Sequence, residues 1–354
     1  MVRVFKDDKS IMRDPLFKKS DFSLCHVPVP KGYPQSQTHV GVSLLNGKLI
    51  LSTSPYPNPI YSTWRKYLYA VIGKLTFHKV NLFYNGEKFE NPCVYLGDES
   101  LFPTNFTLLN GSPLMDCPKD RFGLGAYCSD PDLYIEEDKI FVTNRTSVRK
   151  SKTGEPKHDY ETIVYIIGFS LCNGEIQKKQ VTELFREQDA SPCIQKSGET
   201  YYYFSLDTNS YNTGESCHAL YCRKSTDILK GWSEKTKITL LKGRYEPWHM
   251  SLFKNEDTLY SIISCVEIGH PRRCWTMLGE FNKSLTELRI YQTPLTDYIS
   301  YRSSAIVRDG EFVLYNATVN EKIKGGKSVD GREIIMAHRP FSQVLDLIKK
   351  YEQR

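Results

Sequence analysis

The chain has 354 residues, of which 40% are hydrophobic, 25% are charged and 12% are aromatic. This composition is that of a folded globular protein, and it excludes collagen-like, coiled-coil and disordered chains. The formal net charge is only +6, without the one-sided basic excess typical of nucleic-acid-binding proteins, so no nucleic-acid partner is expected.

The N-terminal segment MVRVFKDDKSIMRDPLF carries charges among its apolar residues and does not have the pattern of a secretory signal. No later window has the run of about 18 apolar residues needed to span a bilayer. We therefore expect a cytoplasmic protein without membrane insertion. Presence in a phage virion, or release by a route that needs no signal, stays open.

Short runs of Tyr, Ile, Val, Phe and Leu, broken by Gly, Asn, Asp and Lys, predict strands and hairpins along most of the chain. One hairpin unit recurs, with starts near residues 38, 129, 190, 247 and 301. The copies are THVGVSLLNGKLILSTSPY, SDPDLYIEEDKIFVTNR, ASPCIQKSGETYYYFSLDT, PWHMSLFKNEDTLYSIISC and YRSSAIVRDGEFVLYNATV. The last three intervals are similar in length and suit one four-stranded propeller blade each.

A second hairpin follows each copy and supplies the third and fourth strands of a blade, as in ETIVYIIGFSLCNGEI after the second copy. The C-terminal SQVLDLIKKYEQR has the periodicity of an amphipathic helix. The sequence therefore predicts an all-β fold in one domain, residues 1–354. This domain is a five-bladed β-propeller with four-stranded antiparallel blades and a short C-terminal helix. Residues 1–30 are expected to close the ring by adding a strand to the last blade.

Several short motifs occur in a fixed order along nearly the whole chain. They are TSPYPN, FENPCVY, GSPL, SDPDLY, PWH and YRSS. In this order they resemble the five-bladed β-propeller glycoside hydrolases, such as arabinanases and β-xylosidases, and in particular a group of bacterial and phage propellers of that superfamily. The resemblance implies a glycoside hydrolase that acts on a polysaccharide or oligosaccharide through carboxylates in a central funnel.

In that superfamily the first strands of all blades converge on the funnel, so the resemblance implies that residues of five repeats are neighbours there: His39, Asp130, Ser191, His249 and Arg302, with Glu90 and Glu246 close by. The resemblance matches Asp130 to the aspartate that tunes the catalytic acid, His249 to a histidine near the axis, and Arg302 to a basic residue of the last blade. His39 stands where the general base would be an aspartate, and Ala190 stands in the place expected for the acid glutamate. Both usual catalytic carboxylates are thus displaced or absent.

Cleavage of a glycosidic bond usually needs one carboxylic acid and one carboxylate. Asp130, Glu246 and Glu90 are the candidate catalytic carboxylates, and His249 is their candidate proton partner.

The candidate substrate-binding residues are His39, Arg302, Trp248, Arg145 and Asp132. Trp248 would pack against a sugar face, and either arginine could bind a carboxylated or hydroxylated sugar, with Arg302 the stronger candidate. Asp132 could equally serve the turn at Pro131. No phosphate-loop, dinucleotide, zincin or nucleophile-elbow motif occurs, so no cofactor is expected and no metal ligands are assigned. A divalent metal at the axis, held by His249 and water, stays open, although the several oxygen ligands that calcium prefers are not identified.

Two functions stay open at this point. In the first, the carboxylates have moved and the protein is a glycosidase. In the second, the funnel binds a glycan without cleaving it, as in a phage or surface-associated binding protein. Both take a carbohydrate as partner.

Overall fold

The computed structural model describes residues 15–31, 33, 36–56, 68, 71–72, 75–76, 90–116, 127–149, 160–207, 219–267, 270–296, 300–318, 320–324, 327–331 and 333–352. Strands dominate this part of the chain. It begins with a 3₁₀ turn, Lys19–Asp21, and a short strand β1, Ser23–Leu24. It ends with a helix α1, Phe341–Glu352. No helix among these residues is long and apolar enough to cross a bilayer.

The first two sheets each contain four antiparallel strands in chain order. The first sheet comprises β2 (Ser36–Leu45), β3 (Lys48–Tyr56), β4 (Cys93–Gly97) and β5 (Phe106–Leu108). The second comprises β6 (Tyr127–Glu136), β7 (Lys139–Arg149), β8 (Tyr160–Cys172) and β9 (Glu175–Phe185).

The next sheet has eight strands. One half comprises β10 (Asp189–Ser197), β11 (Thr200–Asp207), β12 (Ala219–Ser225) and β13 (Thr236–Leu241). The other half comprises β14 (Tyr245–Asn255), β15 (Thr258–Glu267), β16 (His270–Phe281) and β17 (Glu287–Ile290). The halves are antiparallel within themselves and are joined by parallel pairing of β13 with β17, so their outer edges form one continuous sheet.

The last sheet combines both ends of the described chain. It comprises β18 (Ser300–Arg308), β19 (Glu311–Thr318), β22 (Ile334–Pro340) and β1, and β1 pairs with β22 at its outer edge. A separate hairpin of β20 (Asn320–Lys324) and β21 (Lys327–Gly331) lies between β19 and β22 in the chain.

The connections differ between the two ends of these sheets. The first and second strands of each repeat are joined by two-residue turns such as Asn46-Gly47 and Asp309-Gly310, and these four residues have φ between 50° and 79°. Such turns match the twist of a hairpin and need residues that tolerate positive φ. The second strands end beside the starts of the first strands, as the pairing of Ser36 with Tyr56 shows in the first sheet.

The first strands contact one another in a closed cycle, β2 to β6, β6 to β10, β10 to β14, β14 to β18, and β18 back to β2. Side chains add polar links between them: the Val42 N–H donates to Ser304 Oγ at 3.2 Å, and Ser251 Oγ donates to the Ser303 carbonyl at 2.9 Å. The starts of five distant segments are thereby brought around one centre.

The hydrophobic core is divided among the spaces between neighbouring sheets. Val94 of the first sheet and Ile140 of the second share one cluster, and Leu51 of the first shares another with Tyr315 of the last. Burial of such side chains stabilises the fold by about 1.5 to 3 kcal/mol each.

The predicted C-terminal helix is confirmed as α1. Its buried residues Phe341, Val344 and Ile348 repeat at helical spacing and pack with Phe312 and Leu314 of the last sheet.

Candidate functional site

Each first strand is interrupted near its start by an irregularity in pairing. The register shifts fall between Thr38 and Gly41, Ser129 and Asp132, Ala190 and Cys193, Pro247 and His249, and Ser300 and Ser303. A bulge adds one residue to a strand and redirects the side chains beside it. Polar side chains of five strands can therefore turn toward the common centre.

Three of these bulges contain a polar residue in the left-handed region. His39 has φ 56°, Asp130 has φ 57° and Ser191 has φ 50°. This conformation costs a residue other than glycine about 1 to 3 kcal/mol and persists only where the surroundings hold it. Asp130 contacts His39, Ser191, His249 and Arg145, and we call these five residues the axial cluster.

Asp130 lies at the middle of the axial cluster and is fully buried. Its Oδ1 is 3.3 Å from His39 Nε2 and 3.6 Å from His249 Nδ1. Its Oδ2 is 2.8 Å from Arg145 Nε and accepts a hydrogen bond from the Ser191 N–H at 3.2 Å. Residues from four different repeats thus converge on one carboxylate.

The charge state of Asp130 follows from these contacts. Burial alone would raise the pKa of this carboxyl, but electrostatic attraction to Arg145, with smaller contributions from His249 and His39, outweighs burial and holds the pKa well below its usual range. Asp130 is therefore ionised at neutral pH, and it is suited to orient imidazoles and to stabilise positive charge rather than to donate a proton.

The two imidazoles are held in definite orientations. The Asp130 N–H donates to His39 Nδ1 at 3.4 Å, so neutral His39 carries its proton on Nε2, which faces the Asp130 carboxylate. His249 Nδ1 lies 3.0 Å from Ser191 Oγ. The Tyr301 ring centroid lies 5.5 Å from that of His39 and 5.1 Å from that of His249.

Arg302 lies in the same region but faces inward. It is fully buried and donates from Nη1 to the Pro131 carbonyl at 2.7 Å and from Nη2 to the Met250 carbonyl at 3.1 Å. The same Nη2 is 3.3 Å from Asp132 Oδ1. Burial raises the pKa of Asp132 to about 7, although Arg302 opposes this shift. These contacts connect the bulge at Pro131 to β14.

The two predicted glutamates are buried at the same end of the sheets. Glu246 belongs to β14, three positions before His249, and its Oε1 is 2.5 Å from Lys242 Nζ. Glu90 has φ 43°, its N–H donates to the Pro55 carbonyl, and its carbonyl accepts from the Cys128 N–H, both at 2.6 Å. The Glu90 backbone therefore links the first sheet to the second.

Part of the site reaches the surface. About 24% of the Arg145 side chain is exposed, and Trp248 and Tyr301 are half-buried. The Trp248 ring stands perpendicular to that of His249, with centroids 6.0 Å apart.

Ser191 was expected among the residues that converge on the funnel but was given no role, and Tyr301 was not selected as a site residue. The signal for Ser191 was its place in the repeat, equivalent to His39 and Asp130, and the signal for Tyr301 was its position at the start of the last copy.

A metal ion is one chemical possibility for His39, Asp130 and His249, whose ligand atoms all lie within 4.8 Å of one another. Calcium prefers six to eight oxygen ligands, so two nitrogens and one oxygen suit a transition metal such as zinc better than calcium. The Arg145 guanidinium, 2.8 Å from Asp130 Oδ2, already places a positive charge beside this carboxylate and disfavours a further cation there.

No family model matches the chain, and no curated protein matches it. Solved structures do match over most of its length. A GH43 beta-xylosidase/alpha-arabinofuranosidase from a compost microbial metagenome, in complex with xylotriose, is 14% identical, with a TM-score of 0.54 over 88% of this chain and 95% of that one. The GH43_1 enzyme from Xanthomonas citri complexed with xylotriose is 10% identical, with a TM-score of 0.53 over 88% of both chains.

A family 117 glycoside hydrolase produced by the marine bacterium Zobellia galactanivorans is 9% identical, with a TM-score of 0.54 over 92% of both chains. The chain therefore has the β-propeller fold of these glycoside hydrolases, and the resemblance predicted from the sequence is confirmed for the fold.

Proposed function

We propose that this protein is a glycoside hydrolase-like enzyme that binds an oligosaccharide or polysaccharide at the axial cluster and cleaves a glycosidic bond there. The observation that carries this proposal is the ionised Asp130 carboxylate, which is shared by His39, His249 and Arg145 from three repeats. Burying so many charged groups together is unfavourable for folding alone, so their presence favours a functional role.

The proposed ring has five blades of four strands, with first strands β2, β6, β10, β14 and β18. The cyclic contacts of these strands support this count, as does the division of the eight-stranded sheet into two halves. In this arrangement β1 completes the last blade and joins the two ends of the described chain.

Asp130 is held ionised by its neighbours, so we assign it the role of tuning the other groups. Glu246 and Glu90 are then the proposed acid and base. His249 would exchange a proton with one of them, and Asp130 would stabilise its imidazolium form. Trp248 and Tyr301 offer aromatic faces to the sugar. Arg302 and Asp132 are proposed to hold the bulge at Pro131 rather than to touch the sugar, because the buried Arg302 donates to protein groups.

Binding without cleavage is the second candidate function. The observation that favours it is that the best-defined carboxylates have partners: Asp130 contacts Arg145, and Glu246 contacts Lys242. A paired carboxylate is a weaker general acid than one with a raised pKa.

Release of reducing sugar from a glycan panel, beginning with xylo-oligosaccharides, tests the proposal. We expect Asp130→Asn and Glu246→Gln each to lower kcat/KM by about 100-fold or more, because each removes a group from the acid-base network. The exposed Glu99→Gln is the control and should retain full activity.

Thermal unfolding of each variant separates loss of chemistry from loss of fold, and His249→Gln provides a second test if Asp130→Asn does not fold. Cleavage that persists unchanged in both carboxylate variants would remove them from the mechanism. Glycan binding without turnover would support the second candidate function, and a panel that neither binds nor reacts would contradict both.

A further inference from the structure

We infer that the axial cluster takes a sugar that bears a carboxylate, such as a uronate, and that Arg145 binds this carboxylate. The inference rests on the proposed function and specifies the class of its ligand.

The first argument concerns which arginine can reach a ligand. Arg302 is fully buried, and its two Nη groups donate to Pro131, Asp132 and Met250. About 24% of the Arg145 side chain is exposed at the margin of a cluster that is otherwise buried. Arg145 and Arg302 were both predicted from the sequence to bind a sugar. Of these two, Arg145 is therefore the one that a ligand can contact.

The second argument concerns orientation. Arg145 Nε lies 2.8 Å from Asp130 Oδ2 and 3.1 Å from Ser129 Oγ. Both contacts involve the single Nε–H, which is one of the five N–H donors of this rigid, planar group. An arginine held in this way is preorganised for a planar anion, because its fork geometry matches the two oxygens of a carboxylate.

The third argument concerns the surrounding charge. The Asp130 carboxylate is the nearest negative group to Arg145, and it is also approached by His39 and His249. Lys242 and Arg244 precede β14, at the end where the first strands begin. The buried carboxylates Asp130 and Glu246 are thus each paired with a cation, Arg145 and Lys242 respectively, so neither adds unbalanced negative charge that would repel an anionic ligand.

The fourth argument concerns the sugar ring itself. Trp248 and Tyr301 are half-buried and both lie beside His249, with ring centroids 6.0 Å and 5.1 Å away from that of His249. Aromatic faces bind the apolar faces of sugar rings. A carboxylated sugar can therefore satisfy Arg145 with its charge and the aromatic residues with its ring.

Isothermal titration calorimetry with paired ligands tests the inference. The ligands are oligosaccharides of galacturonate, glucuronate and mannuronate, each compared with its own methyl ester, which keeps the sugar skeleton and removes the charge. We expect at least one acid to bind about tenfold or more tightly than its ester. In Arg145→Gln this preference should be lost, whereas the exposed Arg186→Gln should preserve it.

Arg145→Lys provides a second variant if Arg145→Gln unfolds. It keeps the charge beside Asp130 but lacks the planar fork, so it should bind the acid more weakly than the wild type while staying folded. Equal binding of acids and esters, or an acid preference that survives in both Arg145 variants, would overturn the inference.

Two further outcomes separate this inference from the proposed function. Tight binding of a neutral glycan with no binding of uronates would overturn the carboxylate ligand and leave the proposed function intact. Preference for a sulfated glycan over every uronate would also overturn it. If neither neutral nor charged glycans bind, the proposed function itself fails.

Discussion

Asp130 lies at the middle of the site, although the residues next to it in the sequence do not indicate the contacts that it makes. In the sequence it is one member of an Asp-Pro-Asp turn motif. In the folded chain it receives contacts from His39, His249, Arg145 and Ser191. The neighbouring Asp132, two residues away, has the opposite behaviour, because burial raises its pKa to about 7 while charged neighbours lower that of Asp130.

Asp132 leads to a prediction at this scale. Its pKa rises from 3.8 to about 7 on folding, so the folded state holds a proton that the unfolded state releases. Its contribution to stability is thus complete below about pH 4 and is lost as the pH rises toward 7. The loss approaches 1.4 kcal/mol per pH unit between these limits.

Urea unfolding at a series of pH values measures this effect. Asp132→Asn cannot ionise, so we expect its free energy of unfolding to fall less steeply than that of the wild type between about pH 4 and 7. The same slope in both proteins would show that Asp132 does not carry a raised pKa.

The sequence predicted several of these residues but not their roles. His39, Asp130 and His249 could be selected because they occupy equivalent places in successive repeats. Ser191 was expected to lie beside them, but its role could not be assigned, because this role depends on a backbone N–H and a hydroxyl that meet Asp130 and His249 only in the folded chain. Arg302 was expected to bind a sugar, but its burial depends on how the last sheet packs against the second, which no local pattern reveals.

At the scale of single elements, the sequence predicted those elements whose structure depends mainly on residues close together in the chain. The Asn46-Gly47 and Asp309-Gly310 turns predicted hairpins because both positions require positive φ, which these residues tolerate. The bulges that shape the site were not predictable, since each is stabilised by contacts with neighbouring first strands. The parallel pairing of β13 with β17 was equally hidden, because parallel neighbours are far apart in the chain.

The C-terminal helix α1 provides a prediction at this scale. Ile348 is fully buried against the last sheet, whereas Gln343 lies on the exposed face of the same helix. We expect Ile348→Ala to reduce the free energy of unfolding by about 2 to 5 kcal/mol, through lost burial and a residual cavity. Chemical denaturation of the wild type and the variant measures this change in the free energy of unfolding.

Gln343→Ala serves as the matched control and should change stability by less than about 0.5 kcal/mol. Loss of less than about 1 kcal/mol in Ile348→Ala would mean that α1 is not part of the core.

At the scale of the whole molecule, the fold gathers the site from segments that are far apart in sequence. The first strands meet in a cycle, and the hydrophobic clusters fill the spaces between sheets. Because apolar contacts between the faces of neighbouring sheets stabilise the fold, the starts of the first strands can carry polar residues. The all-β fold and its likeness to propeller glycoside hydrolases were predictable from repeat spacing and motif order, whereas chemistry at the centre depends on three-dimensional contacts.

The described surface also offers a different place for a ligand. A groove of about 430 Å³ lies between the second sheet and the half that begins with β10, and its lining includes Glu136, Phe141, Tyr201 and Ile228. It lies away from the axial cluster and shares none of its residues. A glycan that bound there would not use the residues on which the proposed function depends.

A crystal structure of the protein soaked with an oligosaccharide that it binds therefore tests the account most directly. We predict a sugar ring against Trp248 and Tyr301, within hydrogen-bonding distance of Arg145. Density for the sugar in the groove beside Tyr201 and Ile228, with an axial cluster that contacts no ligand, would contradict it.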